Sequence, residues 1–462
     1  MKKPIVTIAA AIITVCALLF TATAANFTHV ADSLNELGLF DGTGDGYALD
    51  RAPNRAEALV MMLRLMGLRD EAENSSYEHP FEDVRGHWSE PYVAFAYQHG
   101  YTTGVTPTTF NPTGLSSAQM YVTFVLRALG YGDDFNFENA IEFGTEIGVI
   151  DAVLASGTFL RDQMVAVSYL ALATAPKDSE FDTLLEKLLD AGAVDADAAA
   201  NILQKFALIE EFNNLEADLD FSAIEMNMKL EMVMSVLFGM PGMTMSMDMG
   251  ISIDANVTMI VGEDDITAAI AGEISLMGEE ITAEIYIVDG YIYINAEGEK
   301  IKMPLDAMGI DMAALIDIIN MMDVMDMAEL EQFAHIPIYA YRSISKVEAG
   351  GLTVWTVEIV DGMLDAMMDQ VLDIMDEVPG METADDISIR DFLVVMHIDA
   401  DGTLRRMIME MSMSMADEVG NMTMEIKIDI EVIALGDDVV VNLPDDLDEY
   451  ILLDLGALLP LI

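Results

Sequence analysis

The residues best placed to do chemistry recur three times at fixed offsets: Gly38, Gly42 and Arg55, then Gly100, Gly104 and Ser117, then Gly144, Gly148 and Arg161. Each triplet follows a short amphipathic run and ends where an apolar helical run begins, so one helix-loop-helix unit is used three times. An arginine at the mouth of a helix presents a planar fork of donors that matches a carboxylate or a phosphate. Arg55 and Arg161 are therefore candidates to grip an acidic ligand. Each also has a carboxylate close by in the chain, Glu57 or Asp162, so an internal ion pair is the alternative. This is the build of a binding module rather than an enzyme.

Other chemistry is thin. The six histidines fall in no His-Glu-x-x-His or other ligand spacing, and neither a Gly-x-Ser-x-Gly turn nor a phosphate-binding loop occurs. The loop from Asp41 to Gly46 opens like a calcium loop, but its twelfth position is Ala52, where a bidentate glutamate belongs. Met243, Met245, Met247 and Met249 share one face of a strand, and thioethers suit Cu(I). The same alternation runs on into Ile251 and Ile253 with no histidine or cysteine between, which favours a packed apolar face. Carboxylate pairs such as Asp264-Asp265 and Asp385-Asp386 read as solvated turns. No catalytic residue, metal site or cofactor is expected.

The elements around the triplets carry a resemblance. The middle copy contains Phe81-Glu82-Asp83-Val84, His87-Trp88, Tyr92-Val93, Ala96-Tyr97, Gly100 with Gly104, and Phe110-Asn111-Pro112. Copy one supplies Asn54-Arg55-Ala56-Glu57 ahead of an apolar helix, and copy three places Arg161 likewise. These motifs resemble S-layer homology domains over about residues 27–175, with copies at about 27–70, 81–131 and 133–175. Copies one and three lack the Asp-Val and His-Trp opening, and copy two has Ser116-Ser117-Ala118-Gln119 with no arginine. The resemblance implies an all-helical repeat module that binds cell-wall polysaccharide noncovalently. It also implies polysaccharide contacts at Arg55, Arg161, Trp88, Gly42, Gly104 and Gly148. Trp88 either stacks on a sugar ring or anchors the core of its repeat.

Lys2 and Lys3 precede an apolar stretch to Phe20, and Ala22-Thr23-Ala24 fits the small-residue cleavage rule, so residues 1–24 read as a secretion signal. Cleavage would remove Cys16, leaving no thiol chemistry and no membrane span. The 462 residues carry 80 acidic and 21 basic side chains, a formal charge of −59. Nucleic acid, whose phosphates demand clustered Lys and Arg, is excluded as a partner. Wall polymers of this kind are anionic too, but screening within about 8 Å at physiological salt lets a local arginine act.

Residues 176–212 read as a helical linker. After residue 213 the period changes from helical to two. Met226 to Met234, Met243 to Ile253, Met407 to Met415 and Met422 to Ile430 each alternate apolar and polar side chains. Further strands are expected near 266–276, 281–288, 291–295, 338–345, 352–360 and 392–398, with tight turns at Asp289-Gly290 and Asp401-Gly402. Burying one methionine is worth about 1.5–3 kcal/mol, so so large an apolar face must be covered. Helical patterns at Met308, Met312, Leu315, Ile319 and Met322, and around Leu364, Met367, Val371 and Ile374, are available for this.

The stretches Val288 to Leu305, Asp399 to Met415 and Val439 to Asp446 make residues 213–450 resemble the LolA-like lipoprotein-carrier fold. That implies a curved antiparallel half-barrel covered by helices around an apolar cavity, followed by an apolar tail at 451–462. The expected fold class is thus multidomain, an all-α repeat module followed by an α+β domain. The expected protein is secreted and held on the cell wall or S-layer through its repeats, displaying a β domain that binds a hydrophobic molecule or lipid. The alternatives are a structural surface-layer component with no ligand, or a methionine-based copper binder.

Overall fold

The computed structural model describes residues 3–4, 27–42, 46–217, 222–240, 243–262, 265–276, 279–305, 336–361, 363, 387–416 and 420–453. The secretion signal, all but two residues of it, lies outside these. So do the two helical patterns expected over the sheet, the middle of the Asp41 loop and most of the C-terminal tail. The chain divides into two compact units. One comprises Ala25–Glu210 with Pro337–Arg342, and the other holds the remaining described residues.

The first unit is built from helices: α1 (Thr28–Glu36), α2 (Arg55–Leu65), α3 (Arg69–Glu73), α4 (Glu90–Gln98), α5 (Ala118–Ala128), α6 (Ala140–Glu146), α7 (Ala152–Ala155), α8 (Arg161–Leu172), α9 (Leu184–Asp190) and α10 (Ala196–Asn213). Their starts are written in the sequence. At α2 the Asn54 side chain accepts from the Glu57 amide and Glu57 accepts from the Asn54 amide, both at 2.9 Å, a reciprocal cap. At α5 the Ser117 hydroxyl accepts from the Met120 amide. The apolar faces then meet in one core that includes Leu34, Leu59, Met62, Phe95, Val122, Leu126, Val165 and Tyr169.

The stretch read as a linker is packed into this unit. Leu184, Leu185 and Leu188 are buried, the Leu184 amide donates to the Thr174 carbonyl, and the Phe206 ring meets Tyr169 edge-on at 5.2 Å.

Among the described residues, the second unit's large sheet has twelve strands: β1 (Ala223–Met240), β2 (Met243–Val261), β3 (Ile266–Leu276), β4 (Glu279–Val288), β5 (Tyr291–Ala296), β6 (Glu299–Pro304), β7 (Tyr341–Ala349), β8 (Leu352–Ile359), β9 (Ile387–Ile398), β10 (Leu404–Ala416), β11 (Gly420–Leu435) and β12 (Ile451–Leu452). Their order is β12-β6-β5-β4-β3-β2-β1-β11-β10-β9-β8-β7. Two meanders therefore join where the first strand pairs with the last long one.

Asp289 and Gly290 both have positive φ, as a two-residue hairpin turn requires. One correction concerns the end of the chain. Ile451–Leu452, expected as part of a tail, pairs with β6 in parallel, so the sheet is mixed rather than antiparallel.

Register makes the apolar face continuous. Ile253, Leu230, Ile428, Met409, Val394 and Val357 sit opposite one another in turn across six strands. Val357, Val394, Met409 and Ile428 in this row are buried, as are Trp355 and Met396 beside it, whereas Leu230 and Ile253 are half-buried. The other face is wet. There the Arg406 guanidinium grips the Asp429 carboxylate through two bonds of 2.8 and 2.6 Å.

Candidate functional site

At two of the three junctions between the helix-loop-helix units, a loop meets the start of another unit's helix. The loop ahead of α5 serves α2: the Arg55 amide donates to Gly114 O at 2.8 Å, Ala56 to Pro112 O, and the Ser116 amide returns a bond to Pro53 O. The loop ahead of α2 serves α8: the Arg161 amide donates to Arg51 O at 2.9 Å and Asp162 to Leu49 O. These bonds satisfy backbone donors that a helix start leaves open.

The two arginines complete the same two junctions. Arg55 Nε donates to Phe110 O at 2.9 Å, and its guanidinium lies over the Phe110 and Phe124 rings at 4.9 and 5.4 Å. Arg161 Nε donates to Tyr47 O at 2.9 Å, with its guanidinium over Phe40 at 5.2 Å. Both side chains are buried, and burial lowers the pKa of each guanidinium.

Neither expected ion pair is the arrangement found. Glu57 is held by Arg51 through two bonds of 2.9 Å, and Asp162 accepts from the Phe27 amide at 2.9 Å. Burial pushes the Asp162 carboxyl up to about 6.

The third junction is different. A pocket of about 380 Å³ separates the loop ahead of α8 from the start of α5. Ser116, Ser117, Ala118 and Gln119 line it together with Ala155, Ser156, Gly157, Thr158 and Phe159, and Ala52, Leu115 and Ile141 complete the lining. Two departures in sequence coincide here: serine replaces arginine at position 117, and the facing loop is the shortest of the three.

That shortening shows a register error in the glycine triplets. Gly38, Gly100 and Gly148 all have positive φ, of 78°, 77° and 79°. All three also terminate helices alike, the following amide donating to Leu34 O, Ala96 O and Gly144 O. Gly148 is thus the counterpart of Gly38 and Gly100, not of Gly42 and Gly104, while Gly144 lies inside α6. Copy three is four residues shorter between this glycine and its arginine, and the equal offsets concealed it.

The remaining site residues have structural surroundings of their own. Gly104 (φ 80°) packs so closely that a Cβ there would run into the Phe81 ring and lie 2.7 Å from Thr106 O. A Cβ on Gly42 would lie 2.9 Å from Gly46 O. Trp88 is no core anchor: it is 54% exposed, with His87 and Tyr92 as ring neighbours.

The motif around it is explained by packing. Phe81 and Val84 are buried, and the Asp83 carboxylate accepts from the Phe110 and Asn111 amides at 2.9 and 2.6 Å. Thr158 and Phe159 were missed in sequence because neither belongs to a motif, and Ser117 and Gln119 were read only as a copy that lacks its arginine. The missing arginine at 117 was the available signal.

Residues 80–115 match the S-layer homology domain. Over 103 residues the chain is 33% identical to a cell surface protein of Thermoanaerobacter kivui, and over 100 residues 31% identical to the middle cell wall protein of Brevibacillus brevis. These stretches are 22% and 21% of this chain, which spans only 14% and 10% of those two proteins. Domain and relatives together indicate a secreted protein of the cell wall or S-layer.

Among solved structures, LprF from Mycobacterium bovis aligns with 52% of this chain and 97% of its own, at 13% identity and a TM-score of 0.22. A lipoprotein-sorting protein domain from Vibrio parahaemolyticus aligns with 48% and 89%, at 9% identity and a TM-score of 0.13.

Proposed function

We propose that the helical unit attaches the protein noncovalently to a cell-wall polysaccharide, and that one sugar of the polymer seats in the pocket at the third junction. The pocket itself carries this reading. Its lining brings the hydroxyl-bearing residues Ser116, Ser117, Ser156 and Thr158 and the amide-bearing Gln119 together with the apolar Phe159 and Leu115. A pyranose alternates hydroxyls with an apolar C–H face, and needs donors, acceptors and an apolar wall together. Arg55 and Arg161 enter this reading as the struts of the two closed junctions, through their backbone bonds and ring contacts.

Ser117→Arg tests it, since an arginine there would fill the cavity as its counterparts fill theirs. The full chain should pellet with purified cell walls, and Ser117→Arg should lose at least tenfold in affinity with no loss of melting temperature. Undiminished pelleting by that variant would rule the pocket out.

The sheet unit supports a second reading, the binding of an apolar molecule or lipid. Its motivation is the row from Ile253 to Val357 with half-buried methionines at 226, 228, 232 and 234, flexible side chains that fit varied apolar shapes. Mass spectrometry of solvent extracts from purified protein should find a bound lipid. Extracts with none favour a purely structural surface component.

A further inference from the structure

Part of the helical unit's core comes from far downstream in the chain. The segment Pro337–Arg342 belongs to this unit, and Tyr339 and Tyr341 are fully buried within it. The Phe27 ring meets Tyr339 edge-on at 5.0 Å, and His29 Nε2 lies 3.0 Å from Tyr339 O. Lys205 Nζ donates to Tyr341 O at 2.7 Å and reaches Arg342 O at 3.4 Å. The segment is therefore held by main-chain and side-chain contacts along most of its length.

The Tyr339 hydroxyl has an acidic partner that leads to the pocket. It donates to Asp151 Oδ2 at 2.5 Å, while Asp151 Oδ1 accepts from the Leu154 amide at 2.9 Å and so caps α7. A helix of four residues has almost no stability of its own, because nucleation costs more than one turn returns. Its cap, worth about 1 kcal/mol, decides whether that turn forms. The last residue of α7 is Ala155, and from Ala155 to Phe159 the chain is one wall of the pocket.

We propose that Tyr339 is a positioning residue for this pocket: its hydroxyl fixes the Asp151 carboxylate, Asp151 fixes α7, and α7 sets the wall from Ala155 to Phe159. The ligand class rests on the polysaccharide reading above; the positioning does not. A residue 180 positions beyond Phe159, the last residue of the pocket in sequence, thereby sets its shape.

The test uses the full chain. Tyr339→Phe keeps the ring against Phe27 and removes only the hydroxyl. Hydrogen exchange at the amides of 154–160 should become at least tenfold faster, with exchange in α2 (Arg55–Leu65) unchanged, and pelleting with purified walls should weaken at least fivefold. In an Asp151→Ala background the same substitution should add nothing. Unchanged exchange at 154–160, or equal acceleration in α2, would overturn the positioning role. Failure of the unsubstituted chain to bind walls would remove the sugar reading alone, since the exchange measurement still decides the role of Tyr339.

Discussion

Arg55 donates to the carbonyl oxygen of Phe110 while its guanidinium lies over the ring of the same residue, so one phenylalanine holds the arginine by both backbone and side chain. An arginine used this way is a strut between repeats. The geometry joins a charge-assisted hydrogen bond to a desolvated cation–π contact.

Arg55→Ala should therefore destabilise the helical unit by about 2–4 kcal/mol, from the lost bond, the lost ring contacts and an orphaned Phe110 carbonyl. Arg55→Lys should recover less than half of that, because an ammonium has no flat fork to lie between Phe110 and Phe124. Urea unfolding followed by far-ultraviolet circular dichroism reads both, and an unshifted midpoint for Arg55→Ala would show that the side chain does not bridge the repeats.

Two buried groups should oppose each other in acid. Burial lowers the His29 pKa to about 4 from 6.5, so the folded state resists its protonation and stability falls as pH drops from about 6.5 to 4. Burial raises Asp162 from 3.8 to about 6, so its neutral form suits the folded state and stability rises as pH drops from about 6 to 4. Each effect is on the order of 3 kcal/mol over its window. Asp162→Asn should make the unit more acid-labile than the parent across this range, and His29→Gln should make it less so. Parallel stability–pH curves for all three proteins would contradict the assignment.

Gly104→Ala should cost at least about 2 kcal/mol, since alanine disfavours the left-handed backbone and its methyl would displace the Phe81 ring. Gly148→Ala, where no atom lies within 4 Å of the added methyl, should cost only the backbone part, about 1 kcal/mol. Equal melting temperatures for the two variants would contradict the close packing at Gly104.

In the sheet, Met409→Ala should cost about 2–4 kcal/mol because Met409 is fully buried, and Met232→Ala roughly half as much because Met232 is half-buried. The fluorescence of Trp355, which is buried and has Phe212 at 5.5 Å, reports the unfolding. Equal losses at both positions would mean that the face is covered alike along its whole length.

Much of the fold was legible because it is local. The period-two runs with Asp289-Gly290 between them placed β3, β4, β5 and β8 within two residues at each end, since alternation and turn chemistry act between neighbours, but cut the long strands β1, β2, β9, β10 and β11 short by three or more residues. The repeat helices were legible for the same reason, from the apolar helical run that opens after each triplet, and the structure adds caps such as Asn54 with Glu57. Residues 338–345 were read as a strand from the start. The structure makes 338–340 a helical turn in the other unit and begins β7 only at Tyr341, because burial of Tyr339 outweighs its strand propensity.

The candidate site was the least legible part. Arg55 and Arg161 carry the same family motif whether they face solvent or lie between rings, and spacing does not tell the two apart. Equal offsets even aligned the wrong glycines in copy three, hiding the short loop beside the pocket.

The chain by itself determined that helix-loop-helix units precede a methionine-faced sheet, because periodicity and turns are interactions among residues close in sequence. Only the tertiary structure decided that two repeat junctions are closed by buried arginines, that the third is open, and that Tyr339 belongs to the first unit. These depend on contacts between residues tens to hundreds of positions apart, whose energies come from burial and from partners that local sequence does not specify.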